Sequence, residues 1–185
     1  MLISGTGTNL QALIDAPDID VSCVVSSRPG ATGLERAARA GIPATATADE
    51  DETAAFLDVH GAELIVLAGY MRILSAAFVS RWSGRILNVH PALLPAFPGA
   101  RAVEDAVAHG VKVTGVTVHL VDADHVAADT GPIVMQEALA VSYDDTAAEV
   151  TERLHRIEHR LLPEAVRLYG AGKIHVDGRR VRVSG

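Results

Sequence analysis

The chain has 185 residues and a formal charge of −7, from 16 Lys and Arg against 23 Asp and Glu. Hydrophobic residues make up 49% and the mean hydropathy is +0.23, enough for one sizeable core and outside the disordered class. The acidic balance argues against a broad nucleic-acid or anionic-membrane surface while leaving room for a local anion pocket, and the single cysteine, Cys23, rules out an internal disulfide or a cysteine-rich zinc site.

Taken along the chain, short β-rich runs alternate with helical stretches. Leu2-Ile3 forms a strand before Ser4-Gly5-Thr6-Gly7-Thr8-Asn9, and Leu10 to Ala16 reads as helix. With only three residues before Ser4, a start upstream of Met1 is expected. Ile19 to Ser26 is a strand with Val21, Cys23 and Val25 on one face; Leu34 to Ala40 is a helix stopped by Gly41; Asp49 to His60 is a third helix. Glu63 to Ala68 and Arg85 to His90 are apolar strands, the second closed by Pro91. Strands interleaved with helices imply a parallel sheet covered on both faces.

After Gly110 the pattern changes. Val111 to Val121 and Pro132 to Val141 read as a long antiparallel pair joined by an acidic loop. Asp144 or Asp145 is expected to cap a helix from Thr146 to about Tyr169, kinked at Pro163, and Ile174 to Val183 to close as a hairpin on Asp177-Gly178. The expected fold class is α/β: an open, mostly parallel Rossmann-like sheet, helices on both faces, and an antiparallel C-terminal extension, in one domain. No apolar run approaches the roughly 18 residues of a membrane span. Met1-Leu2-Ile3 lacks the charge and length of a signal peptide, so a cytoplasmic location is expected.

Four segments carry candidate chemistry. The Gly5-Thr6-Gly7-Thr8-Asn9 turn suits a phosphate, because glycines admit close backbone approach and helix amides favour an anion; a plain strand-to-helix turn capped by Asn9 is the simpler alternative. Gly5 and Gly7 also begin a dinucleotide fingerprint, with Arg28 placed for a 2′-phosphate, but Leu10 stands at the third glycine position. Asn88 and His90 project from one face at the carboxyl end of their strand, where an amide and an imidazole could steady an oxyanion and move a proton. In the loop from Asp122 to Gly131, Val126 and Ala127 occupy positions a calcium loop needs for a ligand and a glycine, which leaves Asp129 as the best-placed carboxylate. His155-Arg156-Ile157-Glu158-His159 has the spacing of a zinc helix but only Glu164 and Asp177 as carboxylates downstream.

Together with Ala68-Gly69-Tyr70-Met71-Arg72-Ile73-Leu74, the segments Ser4 to Gln11, Leu87-Asn88-Val89-His90-Pro91-Ala92-Leu93-Leu94-Pro95 and Asp129-Thr130-Gly131-Pro132 resemble the folate-dependent formyltransferase family, over nearly the whole chain and in the right order. The Gly-Thr-Gly-Thr-Asn start resembles the branch acting on glycinamide ribonucleotide rather than on methionyl-tRNA or sugars. The resemblance implies transfer of a formyl group from 10-formyltetrahydrofolate, as cosubstrate, to the amine of that ribonucleotide in purine synthesis, with no metal. It implies Asn88, His90 and Asp129 as catalytic residues; Gly7, Thr8 and Asn9 on the phosphate; Glu158 on the ribose; and Met71, Arg72, Ile73, Leu74, Val121 and Asp122 around the folate. A phosphate-binding half of about 1–84 and a catalytic, folate-binding half of about 85–185 follow, in a monomer or homodimer with no nucleic-acid or membrane partner. Arg101 stands where the family commonly has histidine, and 44–69 contains no Arg or Lys for a folate tail. A formyltransferase for another amine, such as an amino sugar, and an NADP-binding module on Gly5, Gly7 and Arg28 are the alternative readings.

Overall fold

The computed structural model describes residues 1–122 and 129–184. Its elements in chain order are β1 (Leu2–Ile3), α1 (Thr8–Ile14), β2 (Val24–Ser26), α2 (Thr32–Arg39), β3 (Ala44–Ala46), α3 (Glu50–Val59), β4 (Ile65–Ala68), α4 (Ala76–Arg81), β5 (Ile86–His90), α5 (Ala102–His109), β6 (Val113–Leu120), β7 (Ile133–Ala140), α6 (Ala147–Gly170), β8 (Ile174–Asp177) and β9 (Arg180–Val183). Seven strands form one sheet in the order β3-β2-β1-β4-β5-β6-β7; β1 to β5 are parallel, β6 and β7 run antiparallel, and β8-β9 is a separate hairpin.

Alternation along the inner strands decides which helix covers which face. Ile3, Val24, Val66, Leu87 and Val89 point to one side, where α1 supplies Leu10 and Leu13 and α6 supplies Val150, Leu154, Leu161 and Leu162. Leu2, Val25, Ile65, Leu67 and Ile86 point to the other, against Ala54 and Leu57 of α3 and Phe78, Val79 and Trp82 of α4. The first layer is aliphatic and the second gathers the buried aromatics Phe78 and Trp82; each fully buried Leu or Ile contributes about 1.5–3 kcal/mol. Asn88 and His90 continue the Ile86 side at the carboxyl end of β5.

Several sequence expectations are corrected. The strand expected over Ile19 to Ser26 is confined to Val24–Ser26, because the two residues of β1 offer ladder partners only to Val25 and Ser26. β3, α4 and α5 were not expected. The cap of α6 is Thr146, whose side chain accepts the Glu149 N–H while the Glu149 carboxylate accepts the Thr146 N–H. Asp145 instead accepts the Ser142 N–H at 2.7 Å and pairs with Arg153. The α6 span continues through Pro163, which is buried against the core. Among the described residues no helix is long and apolar enough to cross a membrane.

Candidate active site

The strand order reverses between β1 and β4: β2 and β3 lie to one side, β4 and β5 to the other. Loops leaving neighbouring strands in opposite directions open a crevice at their carboxyl ends. Here that crevice is a cleft of about 730 Å³. It is lined by Gly7, Thr8, Asn9, Met71, Arg72, Ile73, Leu74, Asn88, His90, Val121, Asp122, Asp129 and Glu158, so the residues that the resemblance assigns to phosphate, ribose, folate and chemistry border one space.

At one end lies the turn from β1 into α1. Gly7 has φ +69°, and a Cβ there would stand 2.7 Å from the Gly33 Cα, so the position requires glycine for conformation and for space. Leu10, at the third position of the dinucleotide pattern, is fully buried in the core, where a closely packed glycine would be needed. Asn9 is buried and donates Nδ2–H to Glu158 Oε2 at 2.7 Å, tying the turn to α6; its Oδ1 is buried with no partner. The amides of Thr6, Gly7, Thr8 and Asn9 meet no acceptor among the described residues. An anion in the cleft would supply one.

At the centre, β5 and the segment before β7 bring Asn88, His90 and Asp129 together. Asp129 adopts φ +62°, a conformation Asp and Asn tolerate better than other side chains. Its Oδ2 accepts the Gly99 N–H at 2.8 Å and faces His90 Nδ1 at 3.4 Å, while Oδ1 accepts Asn88 Nδ2–H at 3.1 Å. His90 Nε2 lies 2.8 Å from the Phe97 carbonyl, which can only accept, so that nitrogen carries a proton. Both ring nitrogens of His90 therefore face acceptors. Burial would push the Asp129 carboxyl up, but the His119 ring, the Gly99 N–H and the neighbouring His90 outweigh it and hold the group below the usual carboxylate range. A fixed carboxylate, an imidazole and an amide at one strand end can polarise a carbonyl and receive a proton from an attacking group.

On the open wall, Met71 and Ile73 are 54% and 75% exposed beside Arg72, an apolar surface suited to a flat ring system. Leu74, by contrast, is buried with Phe78 in the core while still lining the cleft. Arg101 is directed to Asp105 at 3.5 Å and does not line the cleft. Val121 and Asp122 line the cleft; the rest of the loop assigned to folate, 123–128 with its Asp124 and His125, lies outside the described residues.

The zinc-like spacing on α6 resolves differently. Glu158 is committed to Asn9, and the rings of His155 and His159 stack 6.0 Å apart at 9°. Burial, then the charge of His155, pushes the His159 imidazole down. Among the described residues no three His, Cys, Asp or Glu side chains are grouped to hold a metal.

Sequence reasoning missed His119. It lies opposite Asn88 in the β5-β6 ladder, with Nε2 3.0 Å from Asn88 Nδ2 and 3.6 Å from Asp129 Oδ1, and Nδ1 2.9 Å from the Leu120 carbonyl. Its position in an alternating strand was visible, but its partner depends on register, which the sequence does not specify. Ser4 was also missed as a support: its Oγ accepts the Met71 N–H at 2.9 Å, linking the turn after β1 to the segment after β4.

Comparison with known proteins matches residues 1–166 to the formyl transferase family. Phosphoribosylglycinamide formyltransferase of Mycobacterium tuberculosis is 42% identical over 195 residues, spanning 97% of this chain and 87% of that protein. The crystal structure of glycinamide ribonucleotide transformylase 1 from Symbiobacterium toebii superposes with a TM-score of 0.93 at 43% identity, covering 100% of this chain and 92% of that one. The trifunctional purine biosynthetic protein adenosine-3 of Chironomus tentans is 42% identical over 195 residues, 97% of this chain, although the chain spans only 14% of that protein's length.

Proposed function

The chain belongs to the formyl transferase family, and from that premise we propose that it moves the formyl group of 10-formyltetrahydrofolate to the amine of glycinamide ribonucleotide, yielding formylglycinamide ribonucleotide and tetrahydrofolate. The observation that carries this reading is that the Asn88–His90–Asp129 cluster and the turn with four unpaired amides open into the same cleft. A substrate with an anion at one end and an amine at the other matches that layout. Gly7, Thr8 and Asn9 take the phosphate and Glu158 the ribose, while Met71, Arg72, Ile73, Leu74, Val121 and Asp122 border the folate. Residues of about 1–84 then supply phosphate binding and those of about 85–185 the chemistry, within one domain.

The folate supplies an activated one-carbon unit when bound; the remaining work belongs to the chain. Asn88 donates to the formyl oxygen as negative charge develops there, and His90, protonated between Phe97 and Asp129, adds its positive charge. Asp129 accepts, directly or through water, the proton shed by the amine as the new C–N bond forms, and a proton returns to the folate nitrogen as its bond to the formyl carbon breaks. No metal enters this scheme.

An absorbance assay of folate deformylation tests it. Signal is expected only with both substrates present, and Asn88→Ala and His90→Ala are each expected to lower turnover by about a hundred- to a thousandfold. Deformylation without the ribonucleotide would instead mark a hydrolase. Folate binding with no turnover of this acceptor would mark a transferase for another amine.

A further inference from the structure

Helix α2 grips the turn after β1 from behind. The Gly33 N–H donates to the Gly5 carbonyl at 3.0 Å, and Arg36 Nε–H donates to the Thr6 carbonyl at 2.8 Å. Two consecutive carbonyls are thus drawn to the same side. In a planar trans peptide the C=O and the following N–H point in opposite directions, so the Thr6 and Gly7 amides are turned away from α2. Those are two of the four amides without an acceptor. Arg36 also reaches across the turn, donating Nη1–H to Gln11 Oε1 at 3.2 Å, and Gln11 in turn donates to Asp15 at 2.8 Å. One guanidinium therefore holds both sides of the turn, and no carboxylate pairs with it among the described residues. The neighbouring surface is close-packed: a Cβ at Gly33 would stand 3.3 Å from both the Gly5 carbonyl oxygen and the Gly7 Cα and would displace the Ile3 side chain, so glycine there lets this turn of α2 lie against the loop.

We propose that Arg36 is a positioning residue for the substrate's anionic end: by fixing the Thr6 carbonyl and Gln11 together it presets the outward-facing amides and leaves a positive charge behind them. The inference rests on the phosphate reading given above and adds a residue outside the cleft, acting through the loop rather than touching the reacting atoms. A lysine would keep the charge but place one ammonium where the planar guanidinium spans two acceptors.

The test compares glycinamide ribonucleotide with glycinamide riboside, the same amine and sugar without the phosphate, on the wild-type chain, Arg36→Met and Arg36→Lys. Wild type is expected to prefer the ribonucleotide. Arg36→Met is expected to raise KM for the ribonucleotide by about tenfold or more, with kcat/KM for the riboside and KM for the folate unchanged. Arg36→Lys is expected to recover only part of the loss. A purely structural role would lower turnover of both acceptors together, and that result overturns the proposal, as does an unchanged KM for the ribonucleotide or complete rescue by lysine. If Arg36→Met does not fold, Arg36→Lys carries the same comparison: a raised KM for the ribonucleotide alone supports the proposal and none refutes it. A wild type indifferent to the phosphate would overturn the phosphate reading itself; a wild type that prefers it, with variants that do so equally, would overturn only the role of Arg36.

Discussion

Asp129→Asn isolates the negative charge at the centre of the cleft. Asn tolerates the left-handed φ of +62° that this position holds, so the backbone need not move, as it would for alanine. Both carboxylate oxygens are in use, one by the Gly99 N–H at 2.8 Å and the other by Asn88 Nδ2–H at 3.1 Å. An amide has one oxygen, so its NH2 must face either Gly99 or Asn88, donor against donor. Beside a side chain only 11% exposed, either the Gly99 N–H loses its acceptor or Asn88 keeps only His119 Nε2, 3.0 Å away, as partner, a loss of about 1–3 kcal/mol. At about 2 kcal/mol, a chain of this length is expected to melt about 4–8 °C lower. Turnover should fall further than folding suffers, by about a hundred- to ten-thousandfold, since the variant has no base to receive the amine proton.

The pH dependence has a definite sign. Asp129 is held below its ordinary 3.8 in the fold, so its charge stabilises the native state above the unfolded pKa, and that contribution disappears as pH falls through the folded one. Thermal melts of wild type and variant should therefore differ by a constant amount from about pH 7 to about pH 5 and converge below about pH 4. A gap that widens in acid, or a variant turning over within tenfold (about 1.4 kcal/mol) of wild type, would refute the reasoning.

How much of this was readable beforehand depends on where each signal resides. β4 and β5 declare themselves because apolar residues run along both faces, broken only by Asn88 and His90 at the carboxyl end of β5, and the β6-β7 pair because β-branched and polar residues alternate between two punctuated ends. β3 is an edge strand of Ala44, Thr45 and Ala46, exposed or half-buried throughout, with no hydrophobic pattern to report. α4 has six residues, too few to complete two turns of periodicity, and its identity rests on packing Phe78 and Val79 against the sheet.

The candidate site shows the same division. Asn88 and His90 belong to one strand, so alternation alone aligned them. Asp129 and His119 reach them through an antiparallel pairing whose register places His119 against Asn88, and the ladder between β6 and β7 shifts at Val118/His119. No local rule in the sequence fixes that shift. The zinc-like spacing on α6 misled for a related reason: its central Glu158 turns to Asn9, 149 positions away in the chain, and this tertiary contact decides the role of the helix face.

Three further outcomes are expected. Gly7→Ala should lose about 1–3 kcal/mol from the left-handed backbone alone, with more from the 2.7 Å approach to the Gly33 Cα, read as a lower melting temperature and a raised KM for the ribonucleotide. Glu158→Ala leaves Asn9 Nδ2 beside an Oδ1 that is already buried and unpaired, a loss of about 1–3 kcal/mol in a denaturant titration; Glu158→Gln, which keeps an acceptor, should restore most of the stability. Dialysis against a strong chelator should leave turnover unchanged. The candidate zinc ligands argue for this by geometry: His155 and His159 stack at 9°, and two parallel, offset ring planes share no point at which one metal meets both in-plane lone pairs. Glu158, the acid between them, already accepts from Asn9 at 2.7 Å. Loss of turnover on chelation, restored by zinc and absent in His155→Ala, would mean that α6 rearranges to bind a metal and that the Asn9–Glu158 contact is not its working state.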